Sequence, residues 1–231
     1  MLVYLHGLNS SGRSHKAGVL RRALAPRPLL APDYPAHRPA QAVAALLAWF
    51  DRLPTPAAGD PGLILVGSSM GGFYGQYLAR RLPVAHLYLV NPALTPWDLF
   101  LPHLGETMTT LQGETYVIDA ELIAATRPFG IAEPCNGVPT SLFLDAGDEV
   151  IDPAIAGRLY RDCGDVHLFP GGDHAFQHMD ALVASIRKFL GQPVLPQPPS
   201  NRPPFQAGDG PLQEHRRSSR ERINRRGDLP G

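Results

Sequence analysis

The sequence predicts a single α/β domain with a mostly parallel sheet flanked by helices, and three observations carry that expectation. Short apolar runs alternate with stretches of helical periodicity through residues 1–191, the pattern of repeated strand, helix, strand units. The apolar runs lack strict polar alternation, as strands covered on both faces do. The chain has 231 residues, which fits one domain of about 150 residues with an appendage and is long enough to bury a core without a disulfide or metal staple.

The expected strands lie at 2–5, 29–31, 63–66, 87–90, 142–144 and 166–169. Between them, Val43, Leu46, Leu47, Phe50 and Leu53 recur at helical spacing until Pro54 stops the run. Leu182, Val183, Ile186, Phe189 and Leu190 repeat the pattern, with Arg187 and Lys188 in the last turn and Gly191 as the cap. The connection 94–140 carries Trp97, Leu99, Phe100, Leu101, Tyr116 and Phe129. It is too long for an ordinary loop and reads as a lid-like insertion.

Residues 192–231 hold eight prolines, seven arginines against four acidic residues, and one aromatic, Phe205. Such a segment cannot bury enough apolar surface to offset its chain entropy, so a disordered Pro/Arg-rich tail is expected outside a 1–191 domain. No aromatic residue interleaves the arginines of 215–226 to stack on bases, and a solvated extension is the expectation there.

Composition narrows the function classes. Lysine plus arginine equals aspartate plus glutamate at 21 each, for a net charge of zero and a pI near 7.1. A nucleic-acid partner is not expected of a chain without a long-range positive field. The two cysteines, Cys135 and Cys163, read as reduced, partly buried hydrophobes of a cytoplasmic protein. Neither a membrane span nor a signal peptide is expected, and oligomeric state is left open.

The strongest local signal is Gly67-Ser68-Ser69-Met70-Gly71-Gly72, directly after one expected strand and before the helical stretch 73–82. A serine at a sharp strand-to-helix turn needs small residues two positions to either side, and Gly67 and Gly71 make Ser69 that serine. Its hydroxyl is a poor nucleophile alone and needs a base, which needs an orienting acid. Asp148 follows the strand at 142–144, and His174 follows the strand at 166–169. Serine, acid, histidine is the chain order this architecture uses. Asp145, nearer the strand end, is the alternative acid, while Asp152 before Pro153 reads as a helix cap. His174 and His178 are spaced as a metal pair, but no third ligand or intervening glutamate accompanies them, so no metal is expected. The oxyanion of an acyl-transfer intermediate needs backbone donors, assigned to Met70 after the nucleophile and to Leu8, behind the close-approaching Gly7.

These residues resemble the α/β-hydrolase superfamily. Narrower blocks resemble the small bacterial YqiA-type esterases: Tyr4 to Ser11 with Ser14 and Lys16, Val66 to Phe73, Val90 to Ala93, Gly147 to Val150, and Gly172 to Phe176. They occur in family order across 1–191; the tail has no counterpart. The resemblance implies a serine carboxylesterase with Ser69 as nucleophile, Asp148 as acid and His174 as base. Short-to-medium acyl esters are the expected substrates, without a cofactor. An acyl-CoA thioesterase, or a hydrolase-fold binding module without turnover, is the alternative.

Overall fold

The computed structural model describes residues 1–54 and 59–193. The expected tail, 192–231, lies outside the described residues except for its first two.

Among the described residues are eight strands and seven α-helices. They are β1 (Leu2–Leu5), α1 (His15–Ala23), β2 (Leu29–Leu30), α2 (Pro39–Phe50), β3 (Leu63–Ser68), α3 (Met70–Ala79), β4 (Val84–Val90), α4 (Pro96–Phe100), β5 (Thr107–Thr109), β6 (Thr115–Val117), α5 (Ala120–Thr126), β7 (Thr140–Asp145), α6 (Pro153–Tyr160), β8 (Asp165–Phe169) and α7 (Met179–Phe189). Six strands form one all-parallel sheet in the order β2-β1-β3-β4-β7-β8. All six expected strands are present. Most run one to three residues longer than the apolar runs alone suggest, because polar residues such as Ser68, Thr140 and Asp145 continue the ladders.

Successive side chains of a strand point to opposite faces, and the core divides accordingly. Val3, Leu5, Leu65, Leu89, Leu142 and Leu144 pack on one side with Phe73 and Leu78 of α3 and Leu46 of α2. Leu2, Tyr4, Ile64, Val66, Val90 and Phe143 pack on the other with Leu20 of α1 and Leu182 and Ile186 of α7. Both faces are therefore apolar, which is why the strands read as continuous runs. Helix α2 starts earlier than its stripe implies, since the fixed φ of Pro39 suits a first helical turn. Gly191, at φ +63°, follows α7 in the left-handed conformation that caps a helix.

The chain runs from β1 outward to β2, then returns to the other side of β1 as β3. The carboxyl ends of β1 and β3 flank this switch point, and their loops diverge there to leave a crevice. The 94–140 insertion joins β4 to β7 and folds as α4, the antiparallel hairpin β5–β6, and α5. Tyr116 at the hairpin stacks on His37, with ring centroids 4.6 Å apart. Among the described residues no helix is long and apolar enough to cross a membrane.

One expectation is corrected. Cys135 and Cys163 are joined as a disulfide, with Cα atoms 6.0 Å apart and a sequence separation of 28. Two cysteines alone gave no reason to pair them. The pairing depends on α6 ending at Tyr160, where the Cys163 amide donates to the Tyr160 carbonyl and turns the chain toward the end of the insertion.

Candidate active site

Ser69 sits between β3 and α3 at φ +53° and ψ −122°, a conformation sparsely populated by residues with a Cβ. Its surroundings hold it there. The Ser69 amide donates to the Val90 carbonyl at 3.1 Å, and its carbonyl accepts from Gly72 at 2.9 Å and Ala93 at 3.1 Å. The tight turn has no room for larger neighbours. A Cβ on Gly71 would overlap the Leu5 carbonyl oxygen of β1, and one on Gly67 would overlap the Gly71 carbonyl. Ser68 is buried at 2% exposure, whereas Ser69 is half-buried and lines the cleft.

The loop after β8 brings an imidazole to this hydroxyl. His174 Nε2 lies 3.2 Å from Ser69 Oγ, and Nδ1 lies 3.1 and 3.0 Å from the two oxygens of Asp148. A carboxylate only accepts, so Nδ1 carries the proton and Nε2 is left as the acceptor facing Ser69. Asp148 Oδ1 also accepts from the amides of Val150 at 2.9 Å and Ile151 at 2.8 Å. Burial alone would push this carboxyl up. The bond from His174, the two amides and the attraction of the imidazole outweigh burial and hold it below the usual range.

Asp145, the alternative acid, faces elsewhere. It is fully buried and accepts from the Gln177 amide at 2.7 Å, the Asp173 amide at 3.2 Å and His178 Nδ1 at 2.5 Å. It organises the loop that carries His174 and does not touch the ring itself. The two histidines spaced as a metal pair thus turn to two different carboxylates. Asp152 caps α6, accepting from the Ala154 amide at 2.8 Å.

The two expected backbone donors flank the hydroxyl. Met70 opens α3, whose first amides have no intrahelical acceptors. Leu8 follows Gly7, where an added Cβ would come within 3.1 Å of Ser69 Cβ. Among the described residues neither the Leu8 nor the Met70 amide donates to a protein acceptor. The loop bearing Leu8 is pinned on both sides. Tyr34 donates its hydroxyl to the His6 carbonyl at 2.6 Å, and Tyr116 donates to Asn9 Oδ1 at 3.1 Å. Burial lowers the pKa of His6, so its ring, stacked on Tyr34, stays neutral.

Three residues support this arrangement without having been singled out as site residues. Asn91, 1% exposed at the end of β4, accepts from the Asp145 amide at 2.9 Å through Oδ1. Through Nδ2 it donates to the carbonyls of Asp173 at 3.0 Å and His174 at 3.4 Å. Lys16, on the first turn of α1, donates to the Ala175 carbonyl at 2.9 Å. Burial lowers the Lys16 pKa against the opposing pull of Asp173, Asp148 and Asp145. Tyr34 is the third. In the sequence Asn91 shows only as a polar residue ending an apolar run and as a member of the block Val90 to Ala93, and neither gives its role.

A cleft of about 390 Å³ opens over Ser69 and His174, bordered by Tyr4, Leu8, Ser14, Lys16 and Val150. A larger hollow of about 470 Å³, between the start of α2 and α5, touches none of these groups.

A family model described as "Uncharacterised protein family (UPF0227)" matches residues 1–191. Among solved structures, Est1E from Butyrivibrio proteoclasticus is similar at 13% identity and a TM-score of 0.62, over 82% of this chain and 86% of that one. A putative hydrolase from Agrobacterium vitis S4 shares 21% identity at a TM-score of 0.63, over 81% of this chain and 87% of that one. The esterase domain of a Rhodothermus marinus protein shares 17% identity at a TM-score of 0.56, over 82% and 84%. At these identities the likeness establishes the α/β-hydrolase fold.

Proposed function

The chain belongs to the UPF0227 family, and from that premise and the geometry at the elbow we propose that it is a serine hydrolase of carboxylic esters. The observation that carries the reading is a single imidazole held between Ser69 Oγ at 3.2 Å and the Asp148 carboxylate at 3.0 and 3.1 Å. A binding module has no use for a hydroxyl in a strained turn, a neutral acceptor nitrogen against it and a buried carboxylate behind it.

In this mechanism Ser69 Oγ attacks the ester carbonyl carbon and its proton passes to His174 Nε2. The carbonyl π electrons move to oxygen, which is received by the amides of Leu8 and Met70. Donors of this kind each contribute about 3 to 4 kcal/mol. Collapse of the tetrahedral intermediate breaks the bond to the alcohol, which leaves with the proton held on Nε2. Water then attacks the acyl-Ser69 ester, His174 takes its proton, and Ser69 is released as the acid departs. Asp148 stays ionised throughout, fixes the tautomer and stabilises the imidazolium. The same steps act on a thioester, with a thiol leaving instead. Esters and thioesters of matched acyl length separate the two substrate classes.

The reading is tested with a fluorophosphonate probe. Wild type is expected to be labelled on Ser69, and Ser69→Ala to be unlabelled. Equal labelling of both, or of neither, overturns it.

A further inference from the structure

The cleft at Ser69 is lined in part by polar groups, the hydroxyls of Tyr4, Ser10 and Ser14 and the ammonium of Lys16. Glu149 and Val150 also line the cleft, Val150 at 47% exposure, and Val150 lines as well a second cavity of about 160 Å³. Its apolar walls are Leu94, Leu99, Ile151 and Ile155. Its polar neighbours sit at helix starts: Asp152 caps α6, Thr95 stands at the cap position of α4 and Asp98 lies in the first turn of α4.

This cavity is tied to the reacting groups on two sides. Ala93, which lines it, donates its amide to the Ser69 carbonyl at 3.1 Å. Val150 and Ile151 donate theirs to Asp148 Oδ1 at 2.9 and 2.8 Å. The walls therefore stand at a fixed distance from the nucleophile and the acid. An apolar chain leaving the carbonyl carbon at Ser69 meets hydroxyls and a cation in the cleft. Past Glu149, whose carboxylate accepts the His174 amide, Val150 leads to the apolar pocket that it also lines.

We propose that this cavity holds the acyl chain of the substrate, which makes the preferred substrates esters of short straight-chain acids. The inference rests on the hydrolase reading above and adds the substrate class to it. Volume sets the length. An apolar cavity of about 150 Å³ accommodates benzene, so a space of this size takes a chain of about six carbons and no more. Each methylene transferred from water into it is worth about 0.8 kcal/mol, or about fourfold in kcat/KM. Val150 is the gate between cleft and cavity, and Leu99 and Ile155 set the depth.

The test is kcat/KM for p-nitrophenyl esters from acetyl to dodecanoyl, on wild type and on three variants. Wild type is expected to rise about fourfold per methylene as far as about six carbons and to gain nothing beyond. Leu99→Trp and Ile155→Phe fill the pocket and should lower the hexanoyl-to-acetyl ratio at least about tenfold. Leu99→Ala should move the optimum upward by about two carbons. Rates that climb steadily to dodecanoyl overturn the proposal. So does a filling variant that keeps a native circular dichroism spectrum and the wild-type ratio. Should both filling variants fail to fold, an unshifted optimum in Leu99→Ala overturns it on its own. Fluorophosphonate labelling of Ser69 without turnover of any straight-chain ester refutes the subsite and spares the nucleophile. No labelling and no turnover refutes the hydrolase reading itself.

Discussion

Replacing Asp148 by asparagine keeps the shape of the site and changes one atom, and the hydrogen bonds dictate which. Asp148 Oδ1 accepts from two backbone amides, Val150 at 2.9 Å and Ile151 at 2.8 Å, as well as from His174. Oδ2 accepts from His174 alone, at 3.0 Å. In Asp148→Asn the amide oxygen must remain with the two backbone donors, since turning the NH2 group toward them would leave donors facing donors. The NH2 then takes the Oδ2 position and faces Nδ1. A donor there favours the tautomer with the proton on Nε2, which can no longer accept from Ser69. The imidazolium of the transition state also loses its counter-charge. Together these should lower kcat/KM for a p-nitrophenyl ester about 10³- to 10⁴-fold, or about 4 to 5.5 kcal/mol of transition-state stabilisation, with the fold unchanged. The measurement is steady-state kinetics beside a circular dichroism melt. A folded Asp148→Asn within tenfold of wild type would refute the assignment of the acid.

Other predictions follow from the same contacts. The Asp148 carboxyl is held below its ordinary pKa, so its stabilisation is complete above the unfolded value of about 3.9 and is lost as the pH falls through the lower folded value. The stability gap between wild type and Asp148→Asn should therefore narrow in urea titrations below about pH 4, and a gap that widens with acid would contradict the sign. Gly71→Ala drives a Cβ into the Leu5 carbonyl and should cost more than about 3 kcal/mol or abolish soluble expression. Gly157→Ala, in α6 with no heavy atom within 4 Å, should gain about 0.5 to 1 kcal/mol in the same denaturation assay. Asn91→Leu orphans the buried Asp145 amide and frees the loop bearing His174. It should lower the melting midpoint by about 4 to 10 °C and kcat/KM at least about tenfold, and an unchanged rate would show that Asn91 does not position the ring.

The parts legible in the sequence are those set by local chemistry. β3 is apolar on both faces, and Gly67 and Gly71 announce a turn too tight for side chains, so strand, elbow and α3 can be read within a dozen residues. The sheet is legible for a similar reason, since each interior strand is buried on both sides. The choice between Asp145 and Asp148 is not local. Asp145 ends β7 and Asp148 follows it by three residues, and which one meets His174 depends on the course of the β8 loop, where Asp145 takes up His178 and two amides. The disulfide depends on α6 returning to the end of the insertion, which no spacing encodes. The β5–β6 hairpin is not legible in the sequence because its Thr-rich strands are short and mostly exposed, with little hydrophobic pattern. Asn91 and Lys16 fall in the blocks that resemble the esterases, but they act through backbone carbonyls of distant residues, and such contacts are not legible from spacing.

Hydrolysis through Ser69 passes through a covalent acyl-Ser69 intermediate, which rapid mixing with excess p-nitrophenyl acetate would reveal. The expected result is a burst approaching one nitrophenolate per polypeptide, with acetyl recovered on the peptide carrying Ser69 after acid quench and no burst in Ser69→Ala. Steady turnover by wild type without acetyl on that peptide, or a burst that survives Ser69→Ala, would contradict it.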